Sequence, residues 1–197
     1  MSGVVLATRN AHKVAEVSEI LAAAGLPVEL LPLPADAPEV VEHGLSFAEN
    51  ALLKARSCAA FTGLPAIADD SGICVDVLGG MPGIFSAHWA GRHRDDRANL
   101  KLLLDQIEDV ADEHRGAAFV CAAVLVLPTG EEHVVEGRVE GTVLREPRGE
   151  GGFGYDPVFL PAGSARSTAE LPTEQKHAIS HRGRAFRALA PLLREFF

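Results

Sequence analysis

The chain has 197 residues, enough for one domain or two small lobes sharing a core. Hydrophobic residues make up 47% and charged residues 23%, which excludes a disordered chain and matches an ordinary globular protein. A net charge of −9 disfavours sequence-independent binding to duplex DNA or to an anionic membrane, while leaving room for a local basic pocket.

The N-terminal run Met1 to Leu6 lacks a basic leader region, and no apolar run approaches the roughly 18 residues that span a bilayer. The expectation is a cytoplasmic protein. The cysteines Cys58, Cys74 and Cys121 form no CxxC pair and sit in apolar contexts, so buried free thiols in a reducing compartment are expected.

Val4 to Ala7 reads as a strand. Ala11, Val14, Val17, Ile20, Leu21 and Ala24 recur at helical spacing, with Gly25 as the stop. Pro27 to Leu33 reads as a second strand, followed by a Pro-rich loop. Ser46-Phe47-Ala48-Glu49 has the form of a capping box, opening a helix to about Phe61 before Gly63. The apolar run before Asp69-Asp70 reads as a strand ending at those acids, with a separate strand at Ile73 to Val77 and a loop at Gly79 to Gly83. Asp95 to Ile107 is a predicted helix. Ala117 to Leu127 and His133 to Val139 form a predicted hairpin, and Gly141 to Leu144 a further strand. A Gly-rich loop from Pro147 to Pro157 leads to a short strand at Val158 to Leu160. The remainder is helical from Thr173 and again from about Ser180, with Pro191 as a possible kink point. The interleaving predicts an α/β fold with a mixed sheet.

Asp69-Asp70-Ser71-Gly72 is the most informative feature. Two neighbouring carboxylates beside a core repel one another unless a cation relieves them, and an oxygen-only donor set suits Mg²⁺. A plain acidic turn is the alternative. Thr8-Arg9-Asn10-Ala11-His12-Lys13 is a strand-to-helix junction. It offers free N–H groups and the positive end of a helix dipole to a phosphate, with Lys13 one turn on; Asn10 as an ordinary N-cap is the alternative. Lys54, taken alone, reads as an exposed helix lysine one turn after Asn50.

Gly149 to Gly154 matches GxGxxG, but the residues after it are strand-like rather than helical, so a dinucleotide site is rejected. The better reading is a loop bringing Phe153 or Tyr155 against a planar base, with Asp156 accepting hydrogen bonds or a metal; a tight turn with both rings in the core is the alternative. Ser180-His181-Arg182-Gly183 places positive charge at a helix start, which favours a nearby anion. His177 and His181 lack the glutamate of HExxH, which excludes a zincin-type site. His88, His93, His114 and His133 have no ligand spacing.

Taken in order, six motifs resemble one family. They are Thr8-x-Asn10-x-x-Lys13, then Glu42-x-Gly44-x-x-Phe47-x-Glu49-Asn50-Ala51-x-x-Lys54-Ala55, then Asp69-Asp70-Ser71-Gly72. Gly79-Gly80-x-Pro82-Gly83, Gly151-Gly152-Phe153-Gly154-Tyr155-Asp156-Pro157 and Lys176-x-x-x-Ser180-His181-Arg182-Gly183 complete the set. The chain resembles the non-standard purine nucleoside triphosphate pyrophosphatases, the inosine triphosphatase family, over nearly its whole length.

The resemblance implies a single domain over 1–197, with an elongated mixed sheet flanked by helices and a cleft between two lobes. It implies a cytoplasmic homodimer with no nucleic-acid or membrane partner. The implied activity is Mg²⁺-dependent hydrolysis of ITP, dITP and XTP to the monophosphate and pyrophosphate, clearing deaminated purines from the nucleotide pool. Asp70 would be the general base, and Glu42 and Asp70 would hold Mg²⁺ with Asp69 in support. Thr8, Arg9, Asn10, Lys13 and Lys54 would meet phosphate. Ser71, Phe153, Gly154, Tyr155, Asp156, Lys176, His181 and Arg182 would bind nucleotide. Arg9 and His43 depart from the family's usual residues. The rival expectations are a pyrophosphatase for modified pyrimidine nucleotides, a nucleotide sensor that does not hydrolyse, and a single-stranded nucleic-acid module.

Overall fold

The computed structural model describes residues 3–25, 28–91 and 95–196. The expectations placed on Met1, Ser2, Pro27 and His93 lie outside the described residues. Among the described residues there are six strands: β1 (Gly3–Leu6), β2 (Glu29–Pro32), β3 (Ala66–Val75), β4 (Gly116–Val126), β5 (Glu132–Val143) and β6 (Phe159–Pro161). They form one mixed sheet in the order β2-β1-β3-β4-β5-β6. β1 is parallel to β2 and β3, and β5 is antiparallel to β6. Helices α1 (Ala11–Ala23), α2 (Phe47–Thr62), α3 (Asp96–Gln106), α4 (Thr173–Ile179) and α5 (His181–Phe196) complete an α/β fold. Parallel neighbours need a crossover, and α1 and α2 supply it on either side of β2.

The chain divides into two compact units. One comprises Met1–Asp70, Cys121–Gly137 and His181–Phe197, the other Ser71–Val120 and Arg138–Ser180. In the first unit the strand period of two sorts side chains onto two faces. Val4, Leu6 and Ile67 pack with Val17, Ile20 and Leu21 of α1 and Phe186 and Leu189 of α5. The alternate residues Val5, Ala66 and Ala68 pack on Ala51, Ala55 and Cys58 of α2. Burial of both faces explains the unbroken apolar runs in the sequence. In the second unit Ile73, Val75, Phe119, Val139 and Phe159 form the core with Leu103 and Ile107 around α3. Buried Arg115 donates to the carbonyls of Ile107, Val143 and Leu144 at 2.6, 2.8 and 3.0 Å, satisfying acceptors where α3 and β5 end.

The structure differs from expectation at four places. Asp69 and Asp70 do not end a strand: β3 continues through them to Val75, absorbing the separately expected strand at Ile73. A Cβ on Gly72 would collide with Ser86 Oγ and Gly83 O, so glycine permits the close approach while the strand carries on. Likewise β5 runs unbroken from Glu132 to Val143, joining the strands expected at His133 to Val139 and Gly141 to Leu144. Gly137 lies against the His181 carbonyl and Gly141 against that of Leu160, so both glycines are close-approach positions rather than breaks. Ser46 does cap α2, accepting from Glu49 N at 3.1 Å, but the Glu49 carboxylate accepts from Leu45 N rather than from Ser46, and the box is not reciprocal. Finally, Cys58 and Cys121 are buried but Cys74 is only half-buried.

Candidate active site

In the first unit β1 delivers the chain to α1 through Thr8 to Asn10. Asn10 caps α1, its Oδ1 accepting from His12 N at 3.0 Å and Lys13 N at 3.3 Å, while Thr8 Oγ1 accepts from Asn10 N at 3.2 Å. The capping alternative for Asn10 is therefore what this conformation shows. Arg9 turns away and donates to Ala37 O at 2.6 Å. Lys13, one turn along α1, reaches back to β3, 2.9 Å from Asp69 Oδ2 and 3.3 Å from the Asp69 carbonyl.

Asp69 and Asp70 are consecutive in β3, so the same alternation that sorts the core sends them to opposite faces. Asp69 follows Ile67 onto the α1/α5 face. Its Oδ2 takes Lys13 and, at 3.2 Å, Arg182 Nε, with the Cys121 thiol at 3.8 Å. Arg182 is nearly fully buried at the start of α5, and its second arm is held by Glu16. Burial alone would raise the Asp69 carboxyl, but Lys13 and Arg182, with Lys54 adding to them, hold it well below the usual carboxylate range. Burial opposes the Arg182 charge in turn, and Asp69 and Glu16 outweigh it. The Cys121 thiol is pushed up by burial, then by Asp69.

Asp70 faces α2. Asn50 Nδ2 donates to its Oδ2 at 3.2 Å, and Lys54 Nζ stands 3.5 Å from both Asp70 Oδ1 and Glu42 Oε2. Lys54 is thus not a solvated helix lysine; its side chain is 15% exposed and lies between two acids. Burial pushes the Asp70 carboxyl up, Lys54 and Lys13 pull it down, and Glu42 adds to the push, leaving it raised. The tyings of Glu42 depend on the loop before α2. Asn50 Oδ1 accepts from Gly44 N at 2.8 Å, and a Cβ on Gly44 would press on Glu49 and Asn50.

The premise that Asp69 and Asp70 repel one another side by side is therefore corrected: each has its own cation on its own face. Among the described residues no three His, Cys, Asp or Glu side chains gather as a metal-holding group. Glu42 and Asp70, sharing Lys54, are the two carboxylates that do come together.

The second unit carries a separate cluster in the Gly-rich loop. Asp156 is buried, and its Oδ2 accepts from Phe153 N at 2.8 Å and Lys176 Nζ at 2.7 Å. Lys176 Nζ also lies 5.1 Å from the centroid of the half-buried Phe153 ring, a cation–π contact. Gly152 has a φ of 73° and passes so close to Asp156 that a Cβ would overlap its carboxylate. The Asp156 position as a metal donor is replaced by this lysine pair. Tyr155 is also corrected as a stacking ring: it is 5% exposed within the core and its hydroxyl donates to Ser86 O at 2.8 Å. Ser71 is half-buried in β3, next to Asp70, and Gly154 has a φ of 61°. His181 opens α5 half-buried, and Ser180 closes α4 with its N–H on Lys176 O.

Sequence reading passed over Asn50 and Glu16 as site residues. Asn50 lies one turn before Lys54 on α2, and Glu16 three residues after Lys13 on α1, so helical spacing was the available signal for both.

A family model described as the Ham1 family matches residues 4–192 of this chain. A dITP/XTP pyrophosphatase of Streptomyces coelicolor is 62% identical over 197 residues, covering 99% of this chain and 98% of that protein. A solved HAM1 protein from Coxiella burnetii superposes with a TM-score of 0.90 at 40% identity, covering 99% of this chain and all of that one. The crystal structure of a nucleoside-triphosphatase, dITP/XTP pyrophosphatase, from Mycobacterium abscessus gives a TM-score of 0.78 at 55% identity, over 98% of this chain and 100% of that chain.

Proposed function

This chain belongs to the Ham1 family, and from that membership and its two side-chain clusters we infer that it is a nucleoside triphosphate pyrophosphatase acting on dITP and XTP. We extend the reading to ITP, whose base has the same 6-oxo purine chemistry. The observation that carries it is the array in the first unit, in which Lys54 stands between Glu42 and Asp70 and Lys13 is held by Asp69.

The residues fit a divalent metal. Glu42 and Asp70 offer only oxygen, their contact with Lys54 is long at 3.5 Å, and burial leaves the Asp70 charge poorly compensated. Two carboxylates with phosphate and water completing the shell is the donor set Mg²⁺ prefers. Bound there, Mg²⁺ would neutralise and polarise phosphoryl oxygens. Asp69 supports this arrangement from the other face of β3; its Oδ1 is buried without a hydrogen-bond partner among the described residues, an acceptor still to be satisfied.

The chain's own groups do the rest. Lys13 and Lys54 meet the triphosphate as point charges, helped by the positive end of the α1 dipole beside Thr8 to Asn10. Arg182 holds Asp69, which holds Lys13. A water attacks the α-phosphorus, the bond from that phosphorus to the bridging oxygen breaks, and pyrophosphate leaves with the electron pair. Asp70, positioned by Asn50 at Oδ2 and by Lys54 at Oδ1, orients the water and accepts its proton. Phe153, carried on the Gly-rich loop, stacks on the purine, with Lys176 and His181 addressing its polar edge. Ser71 and Gly154 contribute main-chain and hydroxyl contacts to the nucleotide.

We place the single 1–197 chain in the cytoplasm as a homodimer that removes deaminated purines from the nucleotide pool. No described helix is long and apolar enough to cross a membrane. The test is to incubate the protein with Mg²⁺ and dITP, XTP, ITP, ATP or GTP and to assay pyrophosphate and orthophosphate separately. Pyrophosphate from the first three with little from ATP or GTP is expected. Orthophosphate would instead place the attack at the γ-phosphate and overturn the assignment.

A further inference from the structure

We propose that Asp96 is a positioning residue for base binding: from the start of α3 its carboxylate holds the Gly154 amide and so fixes the Phe153 ring. The inference rests on the reading of Phe153 as the ring that stacks on the purine.

Asp96 is an exposed acid in the first turn of α3, where a carboxylate is ordinarily explained by the helix dipole. The capping work is already done by Asp95, whose Oδ1 accepts from Arg97 N and Ala98 N, both at 3.0 Å. Asp96 Oδ2 reaches elsewhere and accepts the Gly154 N–H at 2.9 Å, 58 residues along the chain. A hydrogen bond to a charged acceptor is among the stronger ones available to a loop.

The loop it holds needs holding. Gly149, Gly152 and Gly154 all have positive φ, and glycine backbones are the ones with most conformational freedom to lose. An aromatic ring carried on such a loop stacks well only if its backbone is ordered before the ligand arrives. Three anchors bracket Phe153. Its own N–H goes to Asp156 Oδ2 at 2.8 Å, the next N–H goes to Asp96, and the Tyr155 hydroxyl goes to Ser86 O at 2.8 Å. Asp156 and Tyr155 are buried, so removing either opens the core. Asp96 is the exposed anchor. Its charge also reaches Tyr155, whose phenol is pushed up by burial first and Asp96 second.

The experiment compares D96A, D96N and F153A for KM and kcat on dITP and on deoxyribose 5′-triphosphate, which lacks the base. D96A is expected to raise KM for dITP about fivefold, the worth of one net hydrogen bond, with kcat and the base-free substrate unaffected. Asp96→Asn keeps a carbonyl acceptor and is expected to restore KM to near the parent value. A merely structural role would move both substrates together and would not be rescued by asparagine, and either result overturns the proposal. F153A separates the two layers of the argument. If F153A raises KM and D96A does not, the positioning role is wrong while stacking stands; if F153A leaves KM unchanged, the stacking reading fails and the inference goes with it.

Discussion

Replacing Arg182 with methionine tests the buried charge array directly. The Arg182 side chain is 2% exposed and that of Asp69 fully enclosed, so the substitution strips a buried carboxylate of a cation in direct contact with it and leaves Glu16 without this partner. Breaking a buried pair from one side costs about 3–5 kcal/mol, because the surviving charge stays in a poor solvent. Lys13 remains 2.9 Å from Asp69, which favours the lower end, about 3 kcal/mol. For a chain of this size that lowers Tm by roughly 6–12 °C. The acid limb adds a second readout. The Asp69 carboxyl lies below its unfolded value, so the unfolded chain takes up the proton first. Its stabilisation is complete above the unfolded pKa of about 3.9 and is lost as pH falls through the lower folded value. Without Arg182 the folded value rises, since burial is then opposed mainly by Lys13, and acid unfolding should begin at a higher pH than in the parent protein. Circular dichroism melts between about pH 3 and pH 8 measure both effects. A loss below about 1 kcal/mol, together with an unmoved acid transition, would refute the claim that Arg182 compensates Asp69. Arg182→Lys should recover only part of the loss, because one ammonium does not reproduce a fork that holds Asp69 and Glu16 at once.

Asp70→Asn is expected to reduce kcat by about 10²–10⁴-fold, the usual worth of a general base, without lowering Tm, since it removes a charge that burial disfavours. Near-normal turnover would remove Asp70 from the catalytic role. Gly72→Ala should cost about 1–3 kcal/mol in urea unfolding, because the new methyl meets the Gly83 carbonyl and the buried, hydrogen-bonded Ser86 hydroxyl. An unchanged midpoint would mean that β3 shifts there without penalty.

Much of the fold was legible along the chain because local signals agreed with the final packing. The helical spacing of Val17, Ile20 and Leu21, the cap at Asn10 and the αL glycine at Gly63 appear in the structure where periodicity and cap chemistry put them. Glycine was the main source of misreading. Gly72 and Gly141 look like chain breaks in one dimension, yet each is the small residue at which a continuous strand tolerates a close neighbour. Tyr155 misled for a related reason: an aromatic beside Gly154 reads as a loop ring until the core that encloses it is known.

The sequence by itself determined that carboxylates, lysines and a Gly-aromatic loop recur in a family-like order, because residue type and spacing are properties of the chain alone. Only the tertiary structure decided which charge compensates which. Asp69 and Asp70 are neighbours in sequence, but the pleat of β3 turns one toward Lys13 and Arg182 and the other toward Asn50 and Lys54. Coulombic and hydrogen-bond energies depend on distances between elements far apart in the chain, and those distances exist only once the strands and helices have packed.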